Sequence, residues 1–201
     1  MSGVPNTPIT IVNVGYRSTN FWVVSAGASR LLVDLGYPGT MGQMRAALAR
    51  MDIPLREIRF GLATHYHYDH AGLAQEFKQS GVPLLVLASQ VSAIPSMLSQ
   101  VKPSDRFVEI TLHDNVTISF AESRAALARI GLAGEILPTP GHSDDSVSLL
   151  LDDGSAFTGD LTPPALTGMA TAETVTASWR LLREHGATRV YPGHGPARPM
   201  P

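Results

Sequence analysis

Cysteine is absent from the 201 residues. Its absence excludes disulfides, thiolate metal sites, iron–sulfur clusters and a cysteine nucleophile. Long apolar runs are missing too, and no stretch approaches the roughly 20 apolar residues of a membrane span. Neither sign of charge dominates: 15 Lys+Arg stand against 17 Asp+Glu, for a formal net charge of -2. No basic surface for nucleic acid or an anionic membrane is therefore expected, and a small-molecule substrate is the expected partner. The start, Met1-Ser2-Gly3-Val4-Pro5, has neither a basic segment nor an apolar core. A secretory signal is not expected there, and the cytoplasm is the default location. With 44% hydrophobic and 16% charged residues, the chain has a folded composition, and its length fits one domain over 1–201.

Patterning predicts strands first. Residues 9–14, 21–26 and 30–35 are apolar and β-branched, with turn residues between them. A helix is expected from Thr40, with Met44, Leu48 and Met51 as its buried stripe, ending at Ile53-Pro54. Strand and helix then alternate: strands at 58–63 and 84–88, helices at 71–79 and 89–100, the latter interrupted at Pro95. Strands at 107–110 and 116–120 and a helix over 121–130 follow. Val147–Leu151 and Ser155–Thr158 form a hairpin around Asp152-Asp153-Gly154. An amphipathic helix spans 171–185, and a last strand covers 189–191. Strands and helices in both halves predict sheets packed face to face with helices outside.

What the chain has in quantity is histidine, seven in all. His65-Tyr66-His67-Tyr68-Asp69-His70 follows a predicted strand and precedes a predicted helix. Alternate residues of an extended segment face one way, so His65, His67 and Asp69 converge while His70 turns into the helix start. Three further residues share one setting, a glycine-flanked loop after an extended run: His142, Asp160 and His194. Five histidines and two aspartates are about what two zinc ions need, once a bridging carboxylate and open water positions are counted. The all-nitrogen-and-oxygen set fits Zn2+ best, with iron or manganese as alternatives. His113 and His185 match no motif and read as surface or capping residues.

The His-x-His-x-Asp-His run followed by His142, Asp160 and His194, with Asn20 and Leu32-Val33-Asp34-Leu35-Gly36 ahead of them, resembles the metallo-β-lactamase-fold hydrolases over nearly the whole chain. The resemblance implies an α+β fold, a four-layer αβ/βα sandwich of two mixed β-sheets with helices outside. It also implies that His65, His67 and His142 hold one metal, that Asp69, His70 and His194 hold a second, and that Asp160 bridges them. The expected chemistry is hydrolysis by a bridging hydroxide, with Asp69 also handling a proton. Small carboxylic substrates (thioesters, lactones, other esters) rank first, in the manner of stand-alone glyoxalase II-like or lactonase-like members. With seven residues after His194, the C-terminal glutathione-binding domain of full-length glyoxalase II is not expected. β-Lactams, phosphodiesters and a single-iron persulfide oxidation rank lower. The loop after His142, Ser143-Asp144-Asp145-Ser146, departs from the family's usual sequence and reads first as a solvated turn, with Asp144 or Asp145 supporting a ligand as the lesser alternative. Ile94, Met97, Leu98, Pro163, Pro164, Leu166 and Met169 are the expected substrate walls, with Phe21, Trp22 and the 121–130 helix as further candidates.

Overall fold

The computed structural model describes residues 8–201; the segment read for a secretory signal lies almost wholly outside them. β1 (Ile9–Asn13), β2 (Trp22–Ala26), β3 (Ser29–Val33) and β4 (Ile58–Leu62) form one sheet in sequence order. The first three strands are antiparallel neighbours, and β4 joins β3 in parallel. That parallel step needs a crossover, supplied by α1 (Met41–Arg50). A bridge from Gly61 to Leu84 leads on to β5 (Leu85–Leu87), which pairs in parallel with β6 (Val116–Ile118). Between β4 and β5 lie α2 (Tyr68–Ala71) and α3 (Ala74–Gln79).

The second sheet has β7 (Gly134–Pro138), β8 (Val147–Leu151), β9 (Ser155–Gly159), β10 (Arg189–Pro192) and β11 (Arg198–Pro199), in spatial order β11-β10-β9-β8-β7. α4 (Phe120–Ala128) precedes β7, and α5 (Ala172–Glu184) is the crossover between the parallel strands β9 and β10.

Burial explains why the central strands are apolar on both faces. Val24, Leu31 and Val33 of the first sheet meet Ile136, Val147, Leu149, Leu151 and Phe157 of the second. The alternate residues Val23 and Leu32 face outward onto Met44, Ala47 and Leu48 of α1 and Phe77 of α3. On the far side Leu150, Ala156 and Val190 face Val175, Trp179 and Leu182 of α5. Each sheet is thus covered on both sides, which turns the usual apolar–polar alternation into continuous apolar runs. The layers are helix, sheet, sheet, helix, as the sequence implied.

Several local expectations change. Residues 107–110 are not a strand, and the 89–100 segment forms short 3-10 turns (Ala88–Gln90 and Ile94–Ser99) around Pro95. The helix expected over 71–79 starts at Tyr68 and breaks at Gly72-Leu73, where the chain passes close against Pro38. β11 was not anticipated; at two residues it is too short to show a period. Met51 is 48% exposed, so only Met44 and Leu48 of the α1 stripe are core.

Trp179 joins the outer layer to a loop of the second sheet. It is buried, and its indole N–H donates to the Thr162 carbonyl at 2.8 Å. Trp179→Ala is expected to destabilise the fold by about 3–5 kcal/mol, read from denaturant unfolding.

Candidate metal centre

The seven residues singled out by sequence come together at one edge of the sandwich, from four segments at strand ends. His65 and His67 lie just beyond β4. Asp69 and His70 lie in α2. His142 follows β7, Asp160 follows β9 and His194 follows β10. His65 and His70 are fully buried, while His142 and His194 keep 30% and 40% of their side chains exposed. The site is therefore dry at its base and open at its mouth.

Two groups meet there. His65 Nε2 is 3.1 Å from His67 Nδ1, which is 3.0 Å from His142 Nε2. Asp69 Oδ2 is 3.5 Å from His70 Nε2 and 3.4 Å from His194 Nε2. Asp160 reaches both: Oδ2 is 3.7 Å from His142 Nε2 and 3.3 Å from His194 Nε2, and Oδ1 is 3.3 Å from His70 Nε2. His65, His67 and His142 offer donor atoms all within 4.8 Å of one another, as do Asp69, His70 and His194. Adjacent imidazoles have ring centroids 4.2 to 5.4 Å apart. Five imidazoles this close cannot all be charged. Burial, reinforced by neighbouring imidazoles, holds the His65 pKa well below its ordinary value. Burial also opposes charge on His70, but Asp34 and Asp160 outweigh it and raise that pKa well above normal. For Asp160, burial is outweighed by the His70, His194 and His142 rings, so its carboxyl sits below the ordinary range.

Hydrogen bonds behind the rings decide which nitrogen faces the centre. Asp34 is buried and accepts from the Thr64 backbone N–H at 2.8 Å, the Thr64 hydroxyl at 2.9 Å and His70 Nδ1 at 2.8 Å. The Thr64 hydroxyl proton is thereby committed, so its oxygen accepts from His65 Nδ1 at 3.1 Å. His194 Nδ1 donates to the Ser18 carbonyl at 2.6 Å. In each case Nε2 is the nitrogen left facing the centre, the arrangement that fixes a ligand imidazole. Thr19 donates to Asp69 Oδ2 at 3.0 Å and is itself held by the Tyr37 hydroxyl at 2.6 Å.

The loops are pinned across the sandwich. Asn20 N–H donates to the Gly193 carbonyl at 2.7 Å, and its side chain donates to the Pro192 and Gly195 carbonyls. Val147 N–H donates to the Thr64 carbonyl at 2.8 Å. Gly193 has no room for a side chain: a Cβ would collide with Asp160 Oδ1 and come within 2.6 Å of His70 Cε1.

Sequence reasoning missed the supports. Asp34 stood in a quoted motif, but only its left-handed backbone (φ 64°) at the end of β3 separates it from a strand residue. Asp145, read first as part of a solvated turn, instead accepts the Tyr66 backbone N–H at 2.7 Å through Oδ2. Gln90, fully buried, donates to the carbonyls of Ala63, Thr64 and Asp145. Two expected walls are core: Ile94 and Met97 pack inside the first helical layer. Phe21 lies in the same cluster, while Trp22 and residues of α4 belong to the core between the sheets. Leu166 and Met169 are 76% and 99% exposed. The cavity beside the histidines, about 270 Å³, is lined by His142, Gly159, Asp160, Leu161, Thr162, Pro163, Pro192, His194 and Arg198. A larger groove of about 620 Å³, between α1 and the turn after it, contains none of the seven residues. Ser143 and Ser146 bond each other at 2.8 Å, so no serine–histidine pair forms there. His185 pairs with Glu135 at 3.0 Å and His113 is exposed beside Asp114.

Asp34→Ala strands buried donors on both Thr64 and His70. It is expected to cost about 3–5 kcal/mol, measured by urea unfolding.

The comparisons with known proteins agree with this architecture. The family model described as "Metallo-beta-lactamase superfamily" matches residues 14–194. A "Beta-lactamase-like protein 2 homolog" of Caenorhabditis elegans is 26% identical over 182 residues, covering 90% of this chain and 57% of that one. An "Atrochrysone carboxyl ACP thioesterase" of Aspergillus fumigatus is 29% identical over 181 residues, covering 89% and 51%. A "Probable metallo-hydrolase" of Methanocaldococcus jannaschii is 26% identical, covering 90% and 89%. The chain spans about half the length of the first two. Among solved structures, TTHA1623 "in a di-iron-bound form" superposes with a TM-score of 0.70 at 22% identity, covering 95% of this chain and 94% of that one, a likeness of fold. With its four layers, its edge cluster and a family match over nearly its full length, the chain belongs to the metallo-β-lactamase superfamily.

Proposed function

We propose that this protein is a metal-dependent hydrolase with a two-ion centre, acting on a small carboxylic substrate: a thioester, lactone or other ester. The observation that carries the reading is the position of Asp160 between the two histidine groups. His70 Nε2 and Asp160 Oδ1 are buried, and neither has a hydrogen-bond partner. Burying such atoms unpaired costs on the order of 1–3 kcal/mol each, which a bound cation would offset. The donor set fits zinc, and iron or manganese nearly as well. His65, His67 and His142 would hold one ion, Asp69, His70 and His194 the other, and Asp160 would bridge.

When bound, such ions supply Lewis acidity toward a carbonyl oxygen and lower the pKa of water to about 7. The protein's own work is orientation and proton handling. Thr19, by donating to Asp69 Oδ2, holds that carboxylate where it can take a proton from the attacking water. Asp34 and the Ser18 carbonyl keep His70 and His194 from turning. The buried base excludes water from behind the site, and His142 and His194 face the open mouth where substrate enters. The thioesterase name of one relative supports the substrate class. No helix among the described residues is long and apolar enough to cross a membrane; a cytoplasmic setting and the absence of a nucleic-acid partner remain part of this proposal.

His67→Ala and Asp69→Ala are expected to lose metal and turnover together while keeping the fold, followed by elemental analysis and circular dichroism. Full activity in Asp69→Ala would sink the mechanism. The zinc- or manganese-loaded protein is expected to cleave thioesters or lactones faster than β-lactams or phosphodiesters. One iron per chain with oxygen consumption would instead mark a persulfide-dioxygenase-like chemistry.

A further inference from the structure

The cavity beside the centre has one cationic side chain in its wall, Arg198. Nothing in the reaction above uses it. Its placement follows from strand register: Arg198 pairs with Val190 across β10 and β11. Opposite residues of an antiparallel pair emerge on the same face. Val190 faces the α5 layer, so Arg198 emerges on that side, next to Leu161, Thr162 and Pro163. The loop that carries these residues is held by the Trp179–Thr162 hydrogen bond.

Arg198 is half-buried, and among the described residues no carboxylate lies within the 4.0 Å of an ion pair with it. Asp160 shares the cavity, but its oxygens face His70, His142 and His194 at 3.3 to 3.7 Å. Arginines elsewhere are paired only at Arg30, with Glu57, and Arg124, with Asp152 and Glu135, among the described residues; what sets Arg198 apart is its place in the wall of the cavity beside the centre. A guanidinium carries five donors in a rigid fork that fits a carboxylate bidentately. The rest of the wall, Leu161, Pro163 and Pro192, is apolar. At about 270 Å³ the cavity falls near the low end of ligand sites (~300–1,000 Å³). It suits a short aliphatic body ending in a charge.

We propose that Arg198 is the substrate anchor of this site and binds a free carboxylate on the substrate. The preferred substrates are then small esters or thioesters that keep one carboxylate a few carbons from the scissile carbonyl. This inference rests on the hydrolase reading above. It assigns Arg198 to specificity, not to bond cleavage.

The test compares two substrates on the zinc-loaded full chain: a succinate monothioester and its neutral methyl ester. Arg198→Ala is expected to raise KM for the anionic thioester by about tenfold or more. Its kcat should stay within about twofold, and kinetics on the neutral ester should not change. Arg198→Lys is expected to recover part of the loss, with metal content equal in all three proteins. An equal KM change on both substrates, or none on either, overturns the proposal. If the wild type cleaves neither substrate, the thioesterase reading fails, and succinate binding measured by calorimetry decides the anchor separately. Succinate affinity about tenfold weaker in Arg198→Ala supports it; unchanged affinity overturns it.

Discussion

The Asp34 carboxylate is the interaction on which the site depends. It is buried at the end of β3, on a backbone turned left-handed, and its oxygens accept from Thr64 and His70. A buried charge is tolerated only when its lone pairs are matched by donors. Here the donors are the backbone and hydroxyl of the residue before His65 and the ring of His70. One carboxylate thus sets the tautomer of His70 directly and that of His65 through Thr64. These two rings are the buried floor of the centre, and together with Asp160 they offer donor atoms all within 4.8 Å of one another.

The sandwich does the rest by bringing two loop sets to one edge. The first sheet delivers His65 to His70 from the end of β4, and the second delivers His142, Asp160 and His194. The sheets could slide if only apolar contacts joined them, since hydrophobic burial is non-directional. Directional bonds at the site edge prevent it. Val147 bonds Thr64, Asn20 bonds the Gly193 loop, and Trp22 Nε1 donates to the Pro192 carbonyl at 3.0 Å. Glycine at position 193 then lets the His194 loop pass directly over Asp160 and His70.

Much of this was legible because it repeats at short range. The six-residue histidine run, the glycine-flanked ligand loops and the continuous apolar strands are local patterns with a physical cause, and they yielded the layers and all seven clustered residues. The misreadings share one cause as well. Ile94 and Met97 flank Pro95 in a segment read as a pocket wall, yet their side chains turn inward to the α1–α3 layer. Asp145 sits among serines and aspartates, the composition of an exposed turn, yet it caps the Tyr66 amide from 79 residues away. Residues 107–110 carry strand-like side chains but belong to no sheet of the structure. Propensity is a statement about a residue and its neighbours, and these outcomes were set by distant partners.

The sequence by itself determined the chemical inventory: no thiol, five histidines and two aspartates in an order and spacing that fit an imidazole–carboxylate centre. It also determined the layered fold, through apolar runs that must be covered on both faces. Only the tertiary structure decided which nitrogen of each ring looks inward, that Asp34, Thr19 and Asp145 are supports, and that Arg198 joins the cavity wall. Those facts depend on pairings between residues far apart along the chain, and a pairing of that kind exists only once the two sheets have packed.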